Sequence, residues 1–170
     1  DLRVLRAVQI AVDEGLAKPI LVGRTAVIEA NIKKLGLRLE HGVNIEIVDQ
    51  ENNPHYEQFA DDYYQTMQRK GVTPEYAQRE SRRRSTLIAA MLVKFGHADG
   101  MLCGTYSSYD IHLDFVKNVI GLKEGRSTFF TLNALMLNDR NLFIADTYVN
   151  TNPTAEQLAE MTILAAEEVR

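Results

Sequence analysis

Tryptophan is absent from this chain of 170 residues, and cysteine occurs once, at Cys103. A single thiol cannot close an internal disulfide, so the expected compartment is a reducing cytoplasm. Because Cys103 ends an apolar run, it is expected to be buried and inert. Long hydrophobic runs are also missing. The longest, "TLIAAMLV" and "LFIA", fall far short of the roughly 20 residues that cross a bilayer. The N-terminus lacks the basic-then-apolar order of a secretion signal, which predicts a soluble, unprocessed protein. Positive charge is in short supply, with 19 Lys and Arg against 23 Asp and Glu and a net charge of −4. Such a field favours neither nucleic acid nor an anionic membrane, although a small anion can still be held locally. With four prolines and ten glycines scattered along the chain, no linker, repeat or low-complexity segment stands out.

What is present is apolar surface: 45% of the residues are hydrophobic, enough for a substantial core. The spacing predicts a helix from Asp1 to Gly15, a short buried strand over "KPILVG" (18–23), and a second helix closed by Gly36. "VNIEIVD" (43–49) alternates as a half-buried strand, with Val43, Ile45 and Ile47 inward. Asn53 and Pro54 begin a third helix that carries Tyr56, Phe59, Tyr63 and Met67 on one face. Thr73 and Pro74 begin another, and Ile88, Met91, Leu92 and Phe95 form a further helical face ending at Gly96. "DGMLCG" (99–104) reads as a strand, followed by a helix from about Asp110. "STFFTLNALML" and "LFIADTYVN" then read as two antiparallel strands around the turn "NDRN". Thr154 with Gln157 makes a capping box for a last helix lined by Leu158, Met161 and Ala165. The βα alternation predicts an α/β fold with a mostly parallel sheet in three layers. The change to a hairpin near residue 125 divides it into a first subdomain, 1–124, and the start of a second, 125–170.

The stretch "CGTYSSYD" carries the most chemistry. In an open parallel sheet, ligands gather beyond the carboxyl ends of strands. There Gly104 permits close backbone approach, Thr105, Ser107 and Ser108 offer hydroxyls, and the following turn offers amides, a set suited to a phosphate or a thioester carbonyl. The plainer alternative is a helix cap and a permissive glycine. It is neither a Walker loop nor a dinucleotide fingerprint. Arg79, Arg82, Arg83 and Arg84 form a basic cluster that is either a second anion contact or a solvated helix face. Asp110 and Asp114 lie one helical turn apart, but His112 projects elsewhere, so no metal site is expected and all three read as solvated. His41, His55 and His97 read as surface histidines, and Tyr56, Phe59 and Tyr63 as core. Asp146 and Asn150 either face a cleft or bond their own backbone.

The segments "DLRVLRAVQIAVDEGLAKPILVGR", "KGVTPEYAQRESRRRSTLIAAMLVKFGHADGMLCGT" and "LFIADTYVNTNPTAEQLAEMTILAAEEVR" together resemble the C-terminal phosphotransacetylase-like domain of the large bacterial NADP-dependent malic enzymes. The likeness to phosphate acetyltransferases at large is looser. The resemblance implies an isocitrate and isopropylmalate dehydrogenase-like fold of phosphotransacetylase type, with a cleft for acetyl-CoA. It also implies that the chain is a fragment, with a strand before Asp1 and a continuation past Arg170 bearing a serine, an arginine and an aspartate of the acetyltransferase site. Two further arginines of active phosphate acetyltransferases register on Met67 and Leu113. Arg69, two residues on, points about 200° away from Met67 on a helix.

The resemblance therefore implies a regulatory and oligomerisation domain rather than a catalytic one. Acetyl-CoA is the expected effector, with Gly104, Thr105, Ser107, Ser108 and Arg83 as contacts. The parent is expected to decarboxylate malate oxidatively to pyruvate and carbon dioxide, with NADP and Mg or Mn bound in an N-terminal region in cis. Expected partners are thus an acyl-CoA and further copies of the chain. The alternatives are an active phosphate acetyltransferase, or a purely structural assembly domain.

Overall fold

The computed structural model describes residues 1–170 as two compact units, Asp1–Ile120 and Gly121–Arg170. In the first, helix α1 (Leu2–Asp13) precedes strand β1 (Ile20–Val22), helix α2 (Thr25–Leu35) and strand β2 (Glu46–Val48). The strands pair in parallel, with Leu21 opposite Ile47. The pleat sends alternate side chains to opposite faces. Leu21 and Ile47 join α1 and α2 around Leu5, Ile32, Leu39 and Ile45, whereas Ile20, Val22 and Val48 pack on the other face. That second face carries helices α3 (Tyr56–Met67), α4 (Pro74–Arg83) and α5 (Ser85–Lys94). Its core holds Phe59, Leu87, Ile88 and Met91, all fully buried. Helices on both faces of a parallel sheet make the three-layer α/β arrangement that the alternation predicts.

Local chemistry explains the joins. Gly36 stops α2 in the left-handed region at φ 63°, and its amide bonds back to Ile32 and Lys33 carbonyls; glycine has no Cβ to oppose that geometry. The Arg24 side chain does not cap the start of α2. Asp49, just past β2, does so instead, accepting from the Thr25 amide at 2.8 Å and from the Glu51 amide at 2.8 Å. Those bonds hold its carboxyl down at about 2. Thr73 caps α4 as expected, with Pro74 in its first turn. Arg84 is extended, at φ −100° and ψ 98°, and so separates α4 from α5.

Two strand expectations need correction. Residues 99–104 form no strand, and Leu102 is fully exposed. The second strand is shorter than 43–49 and begins at Glu46. Val43 lies outside it, exposed rather than inward, because Glu40 and Asn44 close a turn there through the Glu40 amide and Asn44 Oδ1.

After helix α6 (Tyr109–Phe115) and a π-helical segment, Val116–Ile120, the second unit begins. It contains an antiparallel hairpin of β3 (Asn133–Met136) and β4 (Asn141–Ile144), then helix α7 (Ala155–Val169). The Thr154 and Gln157 capping box is complete, and Met161 is buried. The strands are shorter than the sequence suggests because their flanks are tied up by side chains. Asp146 accepts from Thr131 N, Thr131 Oγ1 and Val149 N through one oxygen, and from Asn150 N and Nδ2 through the other. Asn150 also donates to the Phe129 carbonyl at 2.7 Å. Of the two readings for Asp146 and Asn150, the structure shows the one in which they satisfy backbone. No helix of the chain is long and apolar enough to cross a membrane.

Candidate functional site

Residues 102–110 are exposed throughout, so the hydroxyl-rich turn lies open to solvent. Its backbone is unusual. Gly104 has φ 137°, and two residues with side chains, Thr105 and Ser107, have φ 63° and 76°. L residues seldom adopt positive φ, least of all β-branched threonine, and each such residue costs about 1–3 kcal/mol. At Gly104 nothing lies within 4 Å of where a Cβ would stand, which leaves room for a ligand against the main chain. Ser108 occupies the cap position of α6 but makes no side-chain cap bond. The capping alternative is therefore not what Ser108 does. The hydroxyls of Thr105, Ser107 and Ser108 face outward as free donors, and the residues present fit a small anion or a polar carbonyl.

Cys103, next to this turn, is exposed rather than buried. The expectation of a buried thiol rested on the apolar run that reaches Cys103, and that run forms no strand and leaves the residue largely open. Local desolvation still raises its thiol pKa, which disfavours the reactive thiolate.

His112 is the residue that sequence reasoning missed. It is half-buried rather than solvated, and both ring nitrogens are engaged: Nε2 lies 2.6 Å from the Tyr106 carbonyl oxygen and Nδ1 lies 2.8 Å from Thr86 Oγ1. The turn is thereby linked to the first turn of α5. The partner Thr86 lies 26 residues away in the chain, beyond the reach of any local pattern.

The basic cluster sits at the α4–α5 corner, and most of it is committed. Arg84 Nε donates to Glu80 Oε2 at 2.7 Å, and Arg79 Nε approaches Glu80 Oε1 at 3.5 Å. Glu80 is 5% exposed, so its charge requires these cations. Arg79 also lies over the Tyr76 ring at 4.9 Å, and Arg82 lies over the Tyr56 ring at 4.0 Å. Arg83 alone has a guanidinium without a partner, and it is exposed. It precedes Thr86 by three residues, on the corner to which His112 ties the turn.

The other histidines form a separate arrangement. His55 stacks on His97 with ring centroids 4.2 Å apart and on Phe59 at 5.6 Å. His41 Nδ1 accepts from the Ile47 amide at 3.1 Å. All three line a cavity of about 440 Å³ beside β2, together with Asp49 and Asn52; His41 and His97 are exposed, as the sequence suggests, and His55 is half-buried. No three His, Cys, Asp or Glu side chains are grouped as metal ligands.

The family model for phosphate acetyl/butaryl transferase matches residues 1–170. The chain belongs to this family. Within it, the chain is 51% identical over 170 residues to the NADP-dependent malic enzyme of Escherichia coli and 50% identical over 167 residues to that of Haemophilus influenzae, spanning 22% of each. Against the phosphate acetyltransferase of Nitratidesulfovibrio vulgaris it is 33% identical over 168 residues, 23% of that protein. The chain thus covers about a quarter or less of these relatives. Among solved structures, a phosphotransacetylase from Streptococcus pyogenes superposes with a TM-score of 0.84 at 27% identity, covering 96% of this chain and 49% of that one. The EutD phosphotransacetylase from Staphylococcus aureus gives a TM-score of 0.85 at 22% identity, covering 99% and 50%. The phosphotransacetylase-type fold that the sequence resemblance implies is therefore the fold of this chain, which corresponds to about half of each neighbour.

Proposed function

We propose that this chain is the acetyl-CoA-responsive regulatory and assembly domain of an NADP-dependent malic enzyme, and that it does not itself transfer acetyl groups. The observation carrying this reading is the turn at Gly104–Ser108. Thr105 and Ser107 are held at positive φ while their hydroxyls stay exposed and unpartnered, and strain of this kind is kept where function requires it. Identity near one half to named malic enzymes, against about one third to phosphate acetyltransferases, supports the malic enzyme as parent. Arg83 supplies the one uncommitted cation of the corner for a CoA phosphate. The parent would oxidise and decarboxylate malate with NADP and a divalent metal bound elsewhere in the longer chain.

Assembly into a homo-oligomer is supported by the second unit. Both hairpin strands are exposed along their whole length, including Leu135, Met136, Leu142, Phe143 and Ile144. Patches of this kind mark interaction surfaces.

The test is calorimetry of acetyl-CoA binding to the full-length protein and to its Ser107→Ala, Ser108→Ala double variant. Loss of two hydroxyl contacts is expected to weaken binding by about tenfold or more without altering the melting temperature, since both residues are exposed. Equal affinity for the two proteins contradicts the site. Absence of any binding to the unaltered protein supports the purely structural alternative. The acetyltransferase alternative is favoured by the retained hydroxyl-rich turn, and phosphate-dependent release of CoA decides it.

A further inference from the structure

We propose that His112 is a positioning residue. Its imidazole, fixed as the Nε2–H tautomer between Thr86 and the Tyr106 carbonyl, holds the Gly104–Ser108 turn in the shape that receives an acyl-CoA. The proposal rests on the ligand reading of that turn.

The tautomer follows from the partners. A carbonyl oxygen can only accept, so at 2.6 Å from Tyr106 O the Nε2 atom must carry the proton. In the neutral ring Nδ1 then carries the lone pair, and the Thr86 hydroxyl 2.8 Å away is placed to donate to it. The ring therefore passes a directed chain of hydrogen bonds from α5 to the turn. The α5 end is rigid: Thr86 is 8% exposed and is followed by Leu87 and Ile88, both fully buried. The turn end has no such support. Tyr106 is 87% exposed and stands between the two residues at positive φ, so no side-chain packing keeps that backbone in place. The bond from His112 is the one side-chain hydrogen bond that reaches residues 104–108. Two left-handed residues flanking a single residue on an otherwise free loop relax unless something over-determines them. His112 is the group placed to do so.

The consequence for binding is preorganisation. A turn already held in its bound shape does not lose conformational freedom when the ligand arrives. Removing the imidazole should therefore weaken affinity without deleting any ligand contact. Glutamine can supply both functions of the ring, with its amide N–H for Tyr106 O and its carbonyl for the Thr86 hydroxyl. Alanine can supply neither.

The experiment uses the full-length protein with His112→Ala, His112→Gln and Thr86→Val, and takes two readings. Hydrogen exchange without ligand follows the amides of residues 104–108, and calorimetry measures acetyl-CoA affinity. His112→Ala is expected to speed exchange in the turn and to weaken acetyl-CoA by about tenfold, and His112→Gln to restore both readings to within about threefold of the unaltered protein. Thr86→Val, which frees the tautomer, should fall between them, and it supplies the same two readings if the alanine variant does not fold. Unchanged exchange in His112→Ala, or no rescue by glutamine, overturns the proposal. If the variants loosen the turn but the unaltered protein binds no acetyl-CoA, the ligand reading is what has failed. The proposal then falls with it, although the tether itself is shown.

Discussion

Supplied with acetyl-CoA and inorganic phosphate, the full-length protein is expected to release CoA at least about 10⁴-fold more slowly than a phosphate acetyltransferase assayed beside it. The reason is electrostatic. Transfer to phosphate requires cations that hold the incoming anion and stabilise the developing oxyanion, and losing one such donor commonly costs about 10²–10³ in rate. By the family resemblance, two of those cations would stand at Met67 and Leu113. Met67 is 8% exposed and belongs to the core cluster with Phe59, Tyr63 and Leu87. A methionine integrated into packing in this way leaves no charge at that place. Arg69 is exposed, in the short 3₁₀ turn after α3, whereas Met67 is buried. Release of CoA at ordinary enzymatic rates would show that the chain keeps its own catalytic cations and would favour the acetyltransferase alternative.

The Asp146→Ala variant is expected to destabilise the second unit by about 3 kcal/mol, since hydrogen bonds to a charged group are each worth about 1.5–3 kcal/mol and do not add fully. The carboxylate joins Thr131 to the segment Val149–Asn150, and alanine removes the acceptor of the Thr131, Val149 and Asn150 amides. The loss should be read as faster hydrogen exchange in peptides covering residues 127–150, with peptides of residues 1–120 unchanged. Acid should act in the same direction. Burial opposes the charge on Asp146, yet the bonds from Thr131 and Asn150 outweigh it and hold the carboxyl at about 2, below its ordinary 3.8. The folded pKa lies below the unfolded one. The contribution is therefore complete above about 3.8 and is lost as pH falls toward about 2. An alanine variant with undiminished protection would show that the network is dispensable.

Helices and their caps were legible in the sequence because each is decided within a few residues. Thr73 before Pro74, Gly36 after Leu35 and Thr154 with Gln157 all act where the pattern puts them. Strands were harder, since a strand is defined by its pairing and not by its own residues. "ILV" found a partner in "EIV", whereas "DGMLCG" pairs with nothing, and all of it except Met101, which packs on the core, is exposed. Cys103 lies exposed in the same unpaired segment. In the hairpin the antiparallel pairing was readable, but the strand ends were set by Thr131, Asp146 and Asn150 competing for the backbone.

In the candidate turn, Gly104, Thr105, Ser107 and Ser108 stand out by residue type, and all four are exposed. Which arginine is free could not be read from "RESRRR". Tyr56, Tyr76 and Glu80 decide that in three dimensions, leaving Arg83. His112 had no local signal at all, because its role depends on Thr86 in another helix.

The proposed function has acetyl-CoA act through this domain on the malic activity of a longer parent. It is tested most directly by titrating the full-length protein with acetyl-CoA at several fixed malate concentrations, and with malate at several fixed acetyl-CoA concentrations, following binding in both cases. Coupling between two sites is reciprocal. The account predicts that acetyl-CoA lowers malate affinity by the same factor by which malate lowers acetyl-CoA affinity. Unequal factors, or malate binding indifferent to acetyl-CoA, would contradict it.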